Sequence, residues 1–298
     1  MDIYSKGILT VITICLVTNI LQLFGIQTIK SANAACQGET CCSINSGIVT
    51  YPAFSRCHIE PDLYGIKIYK LYLCTSKPPT PTNNIESDLA SSGCTIVLDS
   101  DSGSDVDLTQ ASEPTTFPNA IFTRPPTDIY THGAMYISNT FRIKWARQFN
   151  QSVKSDSSAS TGEYCSTTSG TGDPSDKQSL LCQSGSAPTA GIFNAVLDNF
   201  GNDTIEMFDS YQNINGSGAD INAYLVNSLN NLSSNGSDAT KIYGIQTLAA
   251  PVIISKNFKG LNISFAINKG SLIFQSGGSS EIGASVGPFQ TIITSVNH

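Results

Sequence analysis

Two segments that each carry a cysteine at one end place the strongest constraint on how this chain folds. Residues 65–74 are rich in aromatic and β-branched side chains and finish at Cys74, and residues 94–99 form a second such run that begins at Cys94. Side chains of these types favour strands. A Pro- and Ser-rich connection separates the two runs. We therefore predict an antiparallel pair of strands whose connection is closed by a Cys74–Cys94 disulfide.

A disulfide requires an oxidising compartment, and residues 1–34 predict export to one. Lys6 precedes an uncharged apolar run at residues 7–26, and Ala32 and Ala34 put small side chains at the two positions that a signal peptidase reads. We predict a signal peptide that is cleaved after Ala34. An uncleaved membrane anchor is the alternative, because about 20 apolar residues can just span a bilayer.

The number of cysteines predicts the same compartment independently. Of nine cysteines one lies in the predicted leader, and the remaining even number is typical of a disulfide framework. We predict that the last two of these, Cys165 and Cys182, pair with each other and that the first four pair among themselves. Cys41 and Cys42 should take different partners, because adjacent residues rarely meet disulfide geometry. The eight cysteines are Cys36, Cys41, Cys42, Cys57, Cys74, Cys94, Cys165 and Cys182.

A structural zinc site is the alternative for the first four of these cysteines, because four thiolates can close such a site. Zinc sites of this kind usually present two short Cys-x-x-Cys pairs, and the spacing of Cys36, Cys41, Cys42 and Cys57 contains neither. Disulfides are therefore the preferred interpretation for an exported chain.

The charge balance excludes some classes of partner. Charged residues make up 13% of the chain, against about 25% in typical domains, and the net charge of −7 becomes −8 when Asp2, Lys6 and Lys30 leave with the leader. Nucleic-acid binding requires a basic face, so we expect no nucleic-acid partner. We expect no membrane partner after leader removal. Surface glycans, other surface proteins and self-association remain as candidate partners.

The chain divides by composition into four parts after the leader. Residues 35–63 are rich in cysteine, and residues 64–150 contain several short strands spaced by turn signals, which predict an antiparallel β-sandwich domain. Ser, Thr and Gly dominate residues 151–189, which indicates a linker or surface loop. Strand patterns return in residues 190–298, which we predict to be a second β-rich domain with one helix.

Three segments carry the sharpest predictions of secondary structure. Residues 128–138 are predicted to form a strand. Residues 141–149 alternate apolar and polar side chains, which predicts a strand with one buried face and makes Trp145 a core residue. Residues 220–232 place apolar side chains on one helical stripe after Asp220, which predicts the one helix.

An acidic segment centred on Gly103 has two interpretations. As a hairpin turn, its Ser-Gly-Ser sequence supplies the turn and its aspartates face water. As a calcium loop, its closely spaced carboxylates provide hard oxygen ligands. In the register of an EF-hand the glycine comes one position early and Gln110 stands where a bidentate Glu belongs, so we favour the turn. The candidate ligands are Asp99, Asp101, Asp105 and Asp107.

The sequence contains no His-Glu-x-x-His motif, no P-loop and no Rossmann glycine pattern, and it has three histidines. We predict no catalytic residue, and no cofactor except the candidate calcium. The chain is therefore predicted to be an exported structural, adhesive or recognition protein of the cell surface or the surrounding medium. Tyr130, Tyr136 and the acidic segment are the candidates for binding.

Two other functions remain open. A secreted hydrolase that acts on polysaccharide would need two carboxylates that converge in a cleft. The acids that the sequence offers are Glu60, Asp62, Glu163, Glu206 and Asp209. A subunit of a surface filament would present an unpaired strand edge and would associate with itself.

Overall fold

The structure is a computed structural model of the 298-residue chain. It describes residues 41–51, 56–83, 86–109, 117, 119–172, 179–200, 211–214, 221–276 and 280–297. These residues contain twenty strands, and their only helices are two three-residue 3-10 turns, Ala90–Ser92 and Gly236–Asp238. The predicted mainly β fold class is thus confirmed. The predicted signal peptide and Cys36 lie outside the described residues.

The first ten strands are β1 (Ile44–Asn45), β2 (Ile48–Val49), β3 (Arg56–Ile59), β4 (Leu63–Cys74), β5 (Cys94–Asp107), β6 (Ile121–Phe122), β7 (Asp128–Ser138), β8 (Thr140–Lys144), β9 (Ala146–Ser155) and β10 (Thr161–Thr167). The others are β11 (Gly170–Gly172), β12 (Leu180–Gln183), β13 (Phe193–Val196), β14 (Tyr211–Ile214), β15 (Ile221–Val226), β16 (Lys241–Ile254), β17 (Phe258–Ala266), β18 (Ser271–Gln275), β19 (Glu281–Val286) and β20 (Gln290–Asn297).

The strands form two large sheets and one small one. A ten-stranded sheet has the order β11-β13-β8-β4-β7-β16-β15-β14, with β5 on the other edge of β4 and β6 beyond β5. An eight-stranded sheet contains β1, β2, β9, β19, β18 and β3, and β10 and β12 extend it from β9. The pair β17 and β20 forms the third sheet. Strands from the predicted domains 64–150 and 190–298 share the ten-stranded sheet, because β7 pairs with β16.

Three disulfides lie wholly within the described residues, and they join neighbouring strands or segments. Cys74 lies directly opposite Cys94, and Cys165 lies directly opposite Cys182, each pair within an antiparallel ladder. The structure therefore contains both of these predicted pairings, including the β4–β5 pair from which the prediction began. Cys42 bonds to Cys57, and Cys41 is also disulfide-bonded, so these adjacent cysteines take different partners.

The alternating segment 141–149 is two strands rather than one. Its first half, β8, belongs to the ten-stranded sheet, and its second half, β9, belongs to the eight-stranded sheet. Trp145 lies between them and is fully buried, so the prediction of a core residue is confirmed. The alternation persists because residues on both sides of Trp145 face the same inner core. Sequence period alone cannot show that a chain changes sheets.

A common inner core joins the two large sheets. It contains buried side chains of both sheets together with apolar residues of β17 and β20. The central strands of the ten-stranded sheet bury their other face as well, under a second apolar cluster. In β15 and β16, for example, Leu225 and Ile242 face the inner core, while Tyr224 and Tyr243 face the outer cluster.

The predicted helix at residues 220–232 is wrong. Within it, residues 221–226 form strand β15, in which all six residues are buried. A strand that is covered on both faces loses the apolar and polar alternation by which strands are recognised. Its continuous apolar run can be mistaken for a helical stripe.

The range 151–189, predicted to be a linker or surface loop, contains the strands β10 to β12 and part of β9. Its serine hydroxyls bond to strand backbone. Ser157 Oγ accepts a hydrogen bond from Leu180 N at 2.8 Å, and Ser160 Oγ accepts one from Cys182 N at 2.8 Å. Side-chain hydroxyls thus satisfy the edge of β12, which is why a serine-rich composition here belongs to an ordered sheet margin.

Gln246 connects the small sheet to the ten-stranded sheet. Its amide donates to Thr291 O and accepts from Thr291 N at 3.1 Å, and both residues are buried. We expect Gln246→Ala to lower the free energy of unfolding by about 2 kcal/mol, because two backbone groups of β20 are left buried without a partner. Urea unfolding measures this loss.

Gln183→Ala is the matched control, because the Gln183 amide bonds to an exposed carbonyl, that of Ser186. Its effect should stay within about 0.5 kcal/mol. Equal losses in the two variants would contradict the role assigned to Gln246.

We also expect non-reducing peptide mapping to recover Cys42 linked to Cys57, Cys74 to Cys94 and Cys165 to Cys182. The linked peptides should separate when the same digest is reduced. A bridge that joins Cys74 to any other cysteine would contradict the register of β4 and β5.

Candidate functional site

A layer of tyrosines covers the outer face of the ten-stranded sheet. Its members are Tyr69 and Tyr72 of β4, Tyr136 of β7, Tyr224 of β15 and Tyr243 of β16. The rings of Tyr136 and Tyr243 stack with centroids 4.7 Å apart. The ring centroids of Tyr224 and Tyr243 are 6.2 Å apart. Those of Tyr72 and Tyr136 are 6.4 Å apart, and these two rings meet edge to face. We call these five residues the tyrosine layer.

Strand register builds this layer. Lys70 lies opposite Tyr136, Tyr136 opposite Tyr243, and Tyr243 opposite Tyr224, so that one row crosses four strands. Directly opposed residues in antiparallel strands share a face. On the far side of β4, Asp99 of β5 lies opposite Lys70 and extends the row.

Two loops cover the layer and supply polar partners to its hydroxyls. Tyr136 Oη donates to Glu86 Oε1 at 3.4 Å, and the hydroxyls of Ser87 and Tyr243 lie 3.3 Å apart. Asn230, in the second loop, donates to the same Glu86 oxygen at 3.1 Å. A buried tyrosine needs such a partner for its hydroxyl. The first covering loop, described at residues 75–83 and 86–93, is closed by the Cys74–Cys94 disulfide, and the second covering loop is residues 227–240.

Burial changes the ionisation of the layer. Burial raises the pKa of Tyr72 to about 12, and the negative charges of Asp99 and Glu86 add to the effect. Burial also raises the pKa of Tyr136 and Tyr243. All three phenols are therefore neutral hydrogen-bonding groups at physiological pH.

The layer reaches solvent where β4 meets β5. Tyr69 and Tyr72 are half-buried there, whereas Tyr136 and Tyr243 are almost fully buried. Around the two half-buried rings lie opposite charges: Lys70 Nζ is 3.5 Å from Asp99 Oδ1, and Lys241 Nζ is 5.4 Å from the centroid of Tyr69. Glu86 is exposed beside them. We call this set the rim; its members are Tyr69, Lys70, Tyr72, Glu86, Asp99 and Lys241.

Lys241 holds the rim to the second covering loop. Its ammonium donates to Asn230 Oδ1 at 2.9 Å, and Asn230 in turn donates to Glu86. Desolvation lowers the pKa of Lys241, and the positive charge of Lys70 lowers it further, whereas Glu86 opposes the shift. Lys70 and Glu86 are therefore close enough to Lys241 to interact with it electrostatically.

The acidic segment is not the hairpin turn that the sequence favoured. It lies inside the continuous strand β5, and the register of β4 and β5 shifts there, with Ile68 opposite Ser104 and Lys70 opposite Asp99. The extra residues of β5 form a bulge with Gly103 at φ +75°. A Cβ on Gly103 would lie 2.9 Å from Tyr69 Cε1, so glycine lets the bulge approach the rim.

Three of the four candidate calcium ligands have other partners. Asp105 lies 3.8 Å from Lys67 Nζ and 3.5 Å from Arg142 Nη2. Asp107 accepts hydrogen bonds from Thr109, and Asp101 is exposed in the bulge. Asp99 pairs with Lys70 in the rim. Within the described part of the chain, no three His, Cys, Asp or Glu side chains are grouped to hold a metal ion. Calcium binding stays a prediction.

The two tyrosines that the sequence offered as binding candidates lie in different parts of the structure. Tyr136 enters the tyrosine layer, but Tyr130 is buried in the inner core, where its hydroxyl donates to Pro126 O at 3.0 Å. Sequence reasoning missed Tyr69 and Tyr72 as site residues. Their presence beside a charged residue in a predicted strand was the available signal.

A Gly-x-Ser-x-Gly pattern occurs at residues 283–287, but it does not form a nucleophile elbow. That motif needs a sharp turn from a strand to a helix. Ser285 instead lies within β19, directly opposite Leu272 of β18, and the other neighbour of Leu272 is His58. Two strand spacings, about 9.5 Å, therefore separate Ser285 from His58.

Of the candidate acids of a hydrolase, Asp62 and Glu163 are engaged elsewhere, Glu60 is exposed, and two lie outside the described residues. Asp62 Oδ1 is 2.8 Å from Arg147 Nη1, and Glu163 Oε1 accepts from Gly185 N at 3.0 Å. Hydrogen bonds to its carboxylate lower the pKa of Glu163, so it stays ionised. Glu206 and Asp209 are not among the described residues.

The raised pKa values of the buried tyrosines predict that the fold loses stability at alkaline pH. An unfolded chain ionises its tyrosines near pH 10, whereas Tyr72 in the fold ionises at about 12. The stabilisation is complete below pH 10 and is lost as pH rises towards 12. We expect the free energy of unfolding to fall over this range, and to fall less steeply in Tyr72→Phe, which cannot ionise.

Denaturant unfolding at several pH values measures the slope, and each sample is read before alkaline damage to the disulfides. Tyr164→Phe, on the eight-stranded sheet, is the control for removing a phenol outside the layer. If the free energy of unfolding fell equally steeply with pH in Tyr72→Phe and in the wild type, Tyr72 would not be buried as a neutral phenol in the way proposed.

The described residues contain no helix long and apolar enough to cross a membrane. No family model matches this chain, and no curated protein and no solved structure shows significant similarity to it. The rim is thus the feature from which a function can be inferred.

Proposed function

We propose that this protein is exported and acts as a recognition protein at the cell surface or in the surrounding medium. It binds surface glycans or other surface proteins through the rim. The observation that carries this proposal is the convergence of two half-buried tyrosines with two cations and two carboxylates at one place on the sheet. Tyrosine is enriched in recognition surfaces because its ring gives contact area while its hydroxyl remains polar.

The scaffold beneath the rim is suited to binding. The central strands are covered on both faces, and a disulfide closes the first covering loop at its base. Binding groups on rigid strands lose little conformational entropy when a ligand arrives. The rim therefore presents its side chains in a preorganised arrangement.

The disulfides support the proposed compartment. Three disulfides are typical of an oxidising extracellular environment. Together with the leader predicted from residues 1–34, they support export. The protein recovered from the medium or from the cell surface should begin at Ala35.

The test is binding of the labelled, secreted protein to intact cells. We expect Tyr69→Ala and Lys241→Ala, combined in one variant, to lower cell binding at least about tenfold, because truncation of central contact residues costs more than 1 kcal/mol each. Flow cytometry over a range of protein concentrations measures the apparent affinity.

Tyr164→Ala is the matched control, because it removes a half-buried tyrosine from the other large sheet. It should bind as the wild type does. Each variant is first shown to melt as one cooperative unit with its disulfides intact. Rim variants that fold and bind cells like the wild type would overturn the proposal.

A further inference from the structure

We propose that the ligand of the rim is an uncharged oligosaccharide. This inference rests on the proposed function and adds to it the chemical class of the ligand. It is carried by three properties of the rim: its charge balance, its mixture of hydrogen-bond donors and acceptors, and a strand irregularity that brings two aromatic rings to one face.

The rim carries no net charge. The positive charges of Lys70 and Lys241 are balanced by the negative charges of Asp99 and Glu86. Lys70 and Asp99 already form an ion pair with their nitrogen and oxygen 3.5 Å apart. An ionic ligand would find no excess of opposite charge, and an anionic one would also meet the net negative charge of the whole chain. An uncharged ligand avoids both costs.

The rim can both donate and accept hydrogen bonds, as a sugar hydroxyl requires. The ammonium groups of Lys70 and Lys241 donate, and the carboxylates of Glu86 and Asp99 accept. Asp99 Oδ1 is itself buried and lies 3.5 Å from Lys70 Nζ, whereas the Asp99 side chain as a whole is 34% exposed. The exposed part of this carboxylate can accept a hydrogen bond at the point where the tyrosine layer reaches solvent.

A strand irregularity places Tyr69 and Tyr72 on the same face. In a regular strand, residues three positions apart point to opposite faces. The register of β4 against β5 shifts between Ile68 and Lys70 and again between Leu71 and Tyr72, and both tyrosines consequently pack against the outer cluster. Bulges of this kind re-aim side chains beside functional sites. Two half-buried rings on one face offer apolar contact to the C–H face of a sugar.

The experiment is binding of the labelled, secreted protein to an array of immobilised saccharides in three groups: neutral, anionic (carboxylated or sulfated) and cationic (amino sugars). We expect binding by neutral saccharides. Tyr72→Ala should weaken it about tenfold, while Tyr72→Phe should stay within about twofold, because the ring and not the hydroxyl makes the contact. Tyr164→Ala should be unchanged.

Two variants with opposite charge changes test the charge argument and keep the shape of the rim. Asp99→Asn gives the rim a net positive charge and should shift binding towards the anionic group. Lys70→Gln gives it a net negative charge and should shift binding towards the cationic group. Both residues are partly exposed, so both variants should fold. Preference for a charged group by the wild type, or equal binding of all groups, would overturn the inference.

Treatment of the cells with periodate or with protease separates this inference from the proposed function. If periodate oxidation of cell-surface sugars abolishes binding and protease treatment does not, the saccharide inference is supported. If protease abolishes binding, periodate does not, and the rim variants still fail to bind, the recognition function stands while the saccharide inference falls. Binding unaffected by the rim variants overturns both.

Discussion

The burial of the central strands on both faces is the constraint on which the rest of this structure depends. One face of the ten-stranded sheet meets the inner core that it shares with the other sheets, and the opposite face carries the tyrosine layer. Tyrosine suits this outer face of the sheet because its ring fills apolar space while its hydroxyl can reach a polar partner. The first covering loop supplies these partners through Glu86 and Ser87. The tyrosine layer thus requires this loop, and the Cys74–Cys94 bridge closes the loop at its base.

The rim exists because this burial is incomplete at one margin. Strand β4 pairs with β5 along one edge and with β8 and then β7 along the other, so it is the element from which the ten-stranded sheet extends. Its irregular pairing with β5 turns Tyr69 towards the outer face, where Gly103 lets the bulge of β5 approach the ring. Charged residues enter at the same margin because their charges remain partly hydrated there. An apolar surface with fixed polar groups results, and such surfaces are suited to recognition.

Local patterns in the sequence predicted much of the fold. The facing cysteines of β4 and β5 were identifiable because two strand-forming runs ended at their thiols, and β7 was predicted with its observed bounds. Patterns failed where tertiary contacts replaced solvent. Ile221 and its neighbours in β15 are buried on both sides and so show no alternation. The serine-rich segment after β9 bonds to β12 through hydroxyls, an arrangement that composition does not reveal. Of the site, Tyr136 and Asp99 were singled out, but Glu86 and Asn230 lie in loops without any pattern.

The sequence by itself determined the chemistry available to this protein: an even set of cysteines after the predicted leader, strand-forming runs that end in thiols, few charges and eleven tyrosines. These properties are local, because each depends on a residue and its near neighbours in the chain. Only the tertiary structure decided which tyrosines share a face, that β8 and β9 belong to different sheets, and that Lys241 lies beside Tyr69 from a strand more than 170 positions away. Those decisions depend on strand register and on the packing of both sheet faces, and register is set by contacts between distant segments.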